Sequence, residues 1–115
     1  MEYGDRKHIF ISGTASIDNR GEVVYPGNIA GQTRRMLLNI EALLKEAGSS
    51  LADLAQMIVY LRDIADYPIV RDLMEQQFPD VPKVIVLAPV CRPGWLIETE
   101  CIAIKAGGNP EFRNL

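Results

Sequence analysis

Two glutamates stand where a strand would otherwise be apolar. In the run Trp95 to Lys105, WLIETECIAIK, Glu98 and Glu100 alternate with Leu96, Ile102 and Ile104, so a two-residue period puts both carboxylates on one face. A carboxylate drawn out of water needs a partner, or its pKa rises. Just upstream, Cys91-Arg92-Pro93-Gly94 has the make-up of a tight turn carrying a thiol and a guanidinium. An arginine held on such a turn can grip a carboxylate through two parallel hydrogen bonds, and a neighbouring carboxyl group can then move a proton. The plainer reading makes Arg92 and Glu98 an ion pair between subunits and Cys91 a core-facing thiol; structural pairs perturb carboxylates too.

A second candidate is the strand end Ile11-Ser12-Gly13-Thr14. Gly13 allows a ligand close to the backbone, and Ser12 and Thr14 offer hydroxyls; an ordinary strand end would look the same. His8, the only histidine, reads as a surface residue at a strand start. No His, Cys, Asp or Glu spacing matches a metal site, and no Ser-His-Asp set or phosphate-cradling glycine loop is visible. No cofactor is expected.

These residues need a frame. His8 to Thr14 reads as a strand, Asp18-Asn19-Arg20-Gly21 as a hairpin turn, and Glu22 to Tyr25 as a short returning edge strand. From an N-cap at Asn28, apolar residues recur at steps of three and four from Ile29 through Leu43 to Ala47, one stripe of a helix closed at Gly48. Leu54 to Leu61 is a second strand. A second helix follows Asp66, with Pro68 in its first turn, a stripe of Ile69, Val70, Leu73 and Met74, and an end near Phe78-Pro79. Lys83 to Ala88 and Trp95 to Lys105 complete the strands. That order gives an α+β sandwich with two helices on one face of a mixed sheet.

The 115 residues suit one domain, expected over residues 1–107 with a flexible tail at 108–115. Hydrophobic residues make up 48% and charged residues 23%, which excludes a disordered chain. The net charge of −3 and the lack of a basic patch argue against a nucleic-acid partner. No apolar run is long enough for a membrane span, and the polar start is not a secretion signal. Two cysteines make no disulfide framework, so a cytoplasmic setting is expected.

Both faces of the last two strands are apolar, yet the chain supplies one helical layer. The uncovered face calls for another copy of the chain, and an obligate oligomer is expected.

The run FISGTASID, the helix QTRRMLLNIEALLKEAGSSLADL, the strand VYLRDIADY and the ending LIETECIAI together resemble the YjgF/Rid family, from about His8 to Ala106. The resemblance implies a chorismate-mutase-like α+β fold, a homotrimer whose sheets form a central barrel, and clefts between subunits. It also implies hydrolysis of reactive enamines and imines, with the family's water-orienting glutamate falling on Glu98. The family arginine that holds the substrate carboxylate falls on Lys83, and lysine is no equal of arginine at a bidentate site. By the resemblance, the family's N-terminal strand, which brings a tyrosine to the cleft, precedes the first residue of this sequence.

CRPGWLIE and the FISGTASI strand also resemble the C-terminal part of the chorismatases, enzymes that hydrolyse chorismate. By that likeness Arg92 binds a carboxylate, Glu98 is the acid/base residue, Cys91 shapes the product outcome, and Gly13 and Ala15 line the pocket. Chorismatases are longer, so the chain reads as the C-terminal part of a longer protein or as a short relative. The leading expectation is chorismatase-like chemistry on a small carboxylate-bearing metabolite, with Ser12, Gly13 and Thr14 as pocket wall. An imine deaminase and a non-catalytic binding or oligomerisation module are the alternatives. The endoribonuclease and translation-inhibitor labels attached to the family fit the acidic balance poorly.

Overall fold

Strands form where β-branched residues alternate, and helices where the stripe repeats. In the computed structural model, which describes residues 1–90 and 92–113, β1 runs Arg6–Thr14, α1 Ile29–Glu46, β2 Leu54–Leu61, α2 Tyr67–Gln77, β3 Lys83–Leu87 and β4 Ile97–Ala106. The Asn28 side chain caps α1 by accepting from the Gly31 N–H, 2.9 Å away. Past its end, Gly48 takes φ +76°, a left-handed conformation that suits a residue without a Cβ. Pro68 sits in the first turn of α2, where a missing N–H costs nothing.

The sheet order is β1-β4-β2-β3. β4 is antiparallel to both β1 and β2, while β2 and β3 are parallel, joined across α2. The sheet is therefore mixed, with two helices on one face, as the element order predicts. Ile9 and Ile11 of β1, Met57 and Val59 of β2, and Ile97, Cys101 and Ala103 of β4 form that covered face. They pack under Met36, Leu37, Ile40 and Leu44 of α1 and Val70 and Met74 of α2.

The other face stays open. Phe10 is 58% exposed and Val84 56%, beside part-buried Ile58, Val86 and Ile102. Two shallow depressions of about 290 and 660 Å³ indent it, and Ile58 borders both.

Three details depart from the sequence reading. Residues 22–25 form no strand; one isolated bridge, Ile17 to Val23, is all the pairing there. The chain turns away because Tyr25 adopts φ +62° and Pro26 follows, which ends an extended run. Ile69 and Leu43, placed in the buried stripes, are 45% and 42% exposed. Each helix touches the sheet along a narrower arc than its full apolar stripe. β4 begins at Ile97, two residues later than the sequence suggests. The Leu96 N–H is taken by the Gln32 side chain and the Trp95 N–H turns back to the Arg92 carbonyl, leaving the Arg62 N–H to Leu96 carbonyl bond as the backbone link to the end of β2.

Candidate functional site

The site grows from an irregularity in β1. Ile11 pairs with Cys101 and Thr14 with Thr99, so the register slips by one and both Ser12 and Gly13 stand opposite Glu100. Such a bulge re-aims side chains at the edge of a sheet, and β1 is an edge strand here. Thr14 Oγ1 donates to the Ser12 carbonyl at 2.9 Å and holds the bulge. The absence of a Cβ at Gly13 lets the Glu98 carboxylate lie where that Cβ would be.

β4 then sets the acids. Glu98 pairs across from Tyr60 and Glu100 from Ile58. The Tyr60 hydroxyl reaches diagonally to donate to Glu100 Oε1 at 2.7 Å. That bond, with some desolvation and the nearby carboxylate charges, raises the Tyr60 phenol above its usual pKa. The open face thus carries Glu98, Glu100 and a phenol within an apolar surround, beside the Ser12-Gly13 bulge.

The segment before β4 is clamped by two side chains from elsewhere. Gln32, fully buried in α1, donates to the carbonyls of Tyr25 and Gly94 at 3.2 and 3.1 Å and accepts from the Leu96 N–H at 2.9 Å. Arg62, just past β2, donates to the carbonyls of Trp95 and Arg92. The exposed Arg92 guanidinium lies 5.8 Å from the centre of the Trp95 ring. Cys91 lies outside the described residues.

The structure thus brings Glu98, Ser12, Gly13 and Thr14 together and fixes the backbone that carries Arg92. Ala15 lies one step behind, fully buried, its carbonyl accepting from Asn39 at 2.9 Å. Lys83 lies on the far edge strand, three positions across the sheet from β1, with its ammonium 3.3 Å from Glu75 of α2. Among the described residues, no group of three or more His, Cys, Asp or Glu is placed to hold a metal ion. Likewise, no helix is long and apolar enough to cross a membrane.

Sequence reasoning missed Gln32, Tyr60 and Arg62. Gln32 left a trace, a polar residue three positions after Ile29 on the buried stripe. Tyr60 and Arg62 become visible only once the strand register is known.

A small mixed sheet of four strands with two helices on one face defines the class. The endoribonuclease L-PSP family model matches residues 4–105, and the chain belongs to this family, also known as YjgF/Rid. It is 34% identical over 97 residues to the 3-aminoacrylate deaminase RutC of Acinetobacter baylyi, covering 83% of this chain and 77% of that one. Rv2704 of Mycobacterium tuberculosis, described as a member of the YjgF/YER057c/UK114 family, superposes with a TM-score of 0.70 at 29% identity, covering 84% and 77% of the two chains. TdcF of E. coli, solved with bound serine, gives 0.74 at 25% identity over 85% and 80%.

Proposed function

We propose that the chain is a Rid-type deaminase that hydrolyses a small enamine or imine bearing a carboxylate. The observation that carries this reading is the Glu98 carboxylate seated on the Gly13 bulge, at the edge of an open apolar sheet face. The likeness to a 3-aminoacrylate deaminase supports the chemistry, and a relative that binds serine supports a small amino-acid-like ligand.

In this mechanism Glu98, as carboxylate, takes a proton from a water as its oxygen attacks the imine carbon. The C=N π pair moves to nitrogen. The protonated Glu98 then returns its proton to that nitrogen, giving a carbinolamine. Glu98 next carries the hydroxyl proton to the same nitrogen, and the C–N bond breaks with its electron pair leaving on ammonia as the C=O bond forms. Ser12, Gly13 and Thr14 form the polar wall. A homotrimer built on the open face completes the cleft, and a second copy can bring its Lys83 edge to this chain's β1 edge.

The chorismatase-like reading shares Glu98 and differs in its ligand, which Arg92 would hold by the carboxylate. The CRPGWLIE run favours it. One assay separates the two: purified protein given 3-aminoacrylate made in situ should release ammonia faster than the spontaneous reaction. With chorismate it should form no product. The reverse result replaces the deaminase with a chorismatase, and silence on both leaves a binding module.

A further inference from the structure

A cleft of about 410 Å³ runs along the free edge of β1, between the bulge and the outer side of α1. Ser12, Gly13 and Thr14 line the cleft together with Arg35 and Asn39 of α1, and Asp18 and Glu46 are also among its lining residues. Arg35 Nε is shut away from solvent with no hydrogen-bond acceptor among the described residues. Arg35 also lines the cleft, so an anion there meets the guanidinium through its Nη groups, beside the enclosed Nε–H.

The surrounding wall is fixed. The Asn39 amide donates to the carbonyls of Ala15 and Ile17, both at 2.9 Å, tying the loop after β1 to the helix. Asp18 Oδ1 accepts from the N–H groups of Arg20 and Glu22 at 2.8 and 3.0 Å, which anchors the carboxylate and leaves its charge in place. One cation and two carboxylates around a small cleft match a ligand carrying both charges.

The geometry points to Arg35 as the anchor for the carboxylate of a small amino or imino acid, with Asp18 facing the cationic nitrogen. The assignment rests on the deaminase reading only for the link to turnover. Gly13 joins the two parts, since it lines this cleft and lies under the Glu98 carboxylate. Within one chain Lys83 cannot serve this end, because it sits on the opposite sheet edge and pairs with Glu75.

Two probes test this on the full chain in its native assembly. L-serine carries both charges, and 3-hydroxypropanoate keeps the carboxylate without the amine. In the wild-type protein, NMR should show the Arg35 Nε–H resonance and the amides of residues 12–14 shifting with either probe, and serine binding about tenfold tighter. R35M should lose both responses and raise KM for 3-aminoacrylate with little change in kcat, and R35K should recover part of the loss. An unmoved Arg35 resonance overturns the assignment without any variant having to fold. So does serine binding no tighter than 3-hydroxypropanoate, or K83M taking the whole KM effect while R35M behaves as wild type. Arg35-dependent serine binding with no turnover would leave the anchor standing and remove the deaminase reading instead.

Discussion

The carboxylate of Glu98 occupies the space that a Cβ on Gly13 would need. A residue of β4 and the bulge of β1 are thereby locked in one arrangement, which a single methyl group can test. In G13A the new Cβ must push the Glu98 carboxyl aside. That carboxyl is the far end of a flexible, part-buried side chain, so the fold should yield at a cost below about 1 kcal/mol. The displaced acid should cost about a hundredfold in kcat. Thermal melting and steady-state kinetics check the two halves. A large stability loss with activity intact would refute the arrangement.

Glu98 and Glu100 are neighbours with different work. E98Q keeps shape and removes the carboxylate proposed as the base, and should lower kcat by about 10²–10⁴-fold. E100Q removes the charged acceptor of the Tyr60 hydroxyl, so the raised phenol pKa should fall back toward its ordinary value. For stability the sign follows from the raised pKa: any contribution is present below the unfolded phenol's pKa and fades as pH climbs through the folded one. Carbon-13 labelling of tyrosine Cζ in wild type and E100Q would read the shift directly. An unchanged Tyr60 titration would rule out the hydrogen bond as its cause.

Much of this was legible in the residues themselves. The α1 stripe, its Asn28 cap and Gly48 exit, and the alternation placing Glu98 and Glu100 together on the open face need nothing beyond periodicity. The bulge does not, because a register slip at Ser12-Gly13 depends on how β1 pairs with a strand some ninety residues away. Arg35 stands beside Arg34 in sequence, and side-chain type alone does not separate a cleft wall from a solvated helix face. Residues 22–25 mislead because their composition suits a strand, whereas the left-handed Tyr25 is set by contacts around it, including the Gln32 bond to its carbonyl.

That glutamine predicts the next result. Q32L would leave the Leu96 N–H and the Gly94 carbonyl without a partner, while the Tyr25 carbonyl keeps the Asn28 N–H, costing about 2 kcal/mol. R62M removes two donors at a more exposed position and should cost less, about 1 kcal/mol, while loosening the same segment. Hydrogen exchange at the amides of Trp95 and Leu96 should quicken in both. If only Q32L does so, Arg62 is no part of the clamp.

The open face should be where copies meet. Phe10, Ile58, Val84, Val86 and Ile102 leave more apolar surface exposed than a stable monomer usually tolerates, and Ile58 lies between the two depressions. Sedimentation of the wild-type chain should give a trimer, and I58K should drive it to monomer by burying an unpaired charge at the contact. On the proposed deaminase reading, in which a second copy completes the cleft, activity should fall with it. A monomeric wild type, or a trimeric I58K, would show that the copies do not meet through this face.

Cys101 lies on the opposite, covered face, 4% exposed beneath the helices. Burial pushes its thiol from the ordinary 9 up to about 11. The unfolded chain therefore releases this proton two units before the folded one does. Between pH 9 and 11 the native state binds more protons than the unfolded state, so stability falls as pH rises. Below pH 9 both states are protonated and the thiol contributes no slope. C101A removes the group, so its denaturation midpoint should decline less steeply than that of the wild type across this window, after a fixed loss from the missing sulfur at every pH. Other alkaline groups titrate equally in both proteins and cancel in the difference. Parallel midpoint curves from pH 8 to 11 would mean that the Cys101 thiol ionises in the folded core as readily as in the open chain.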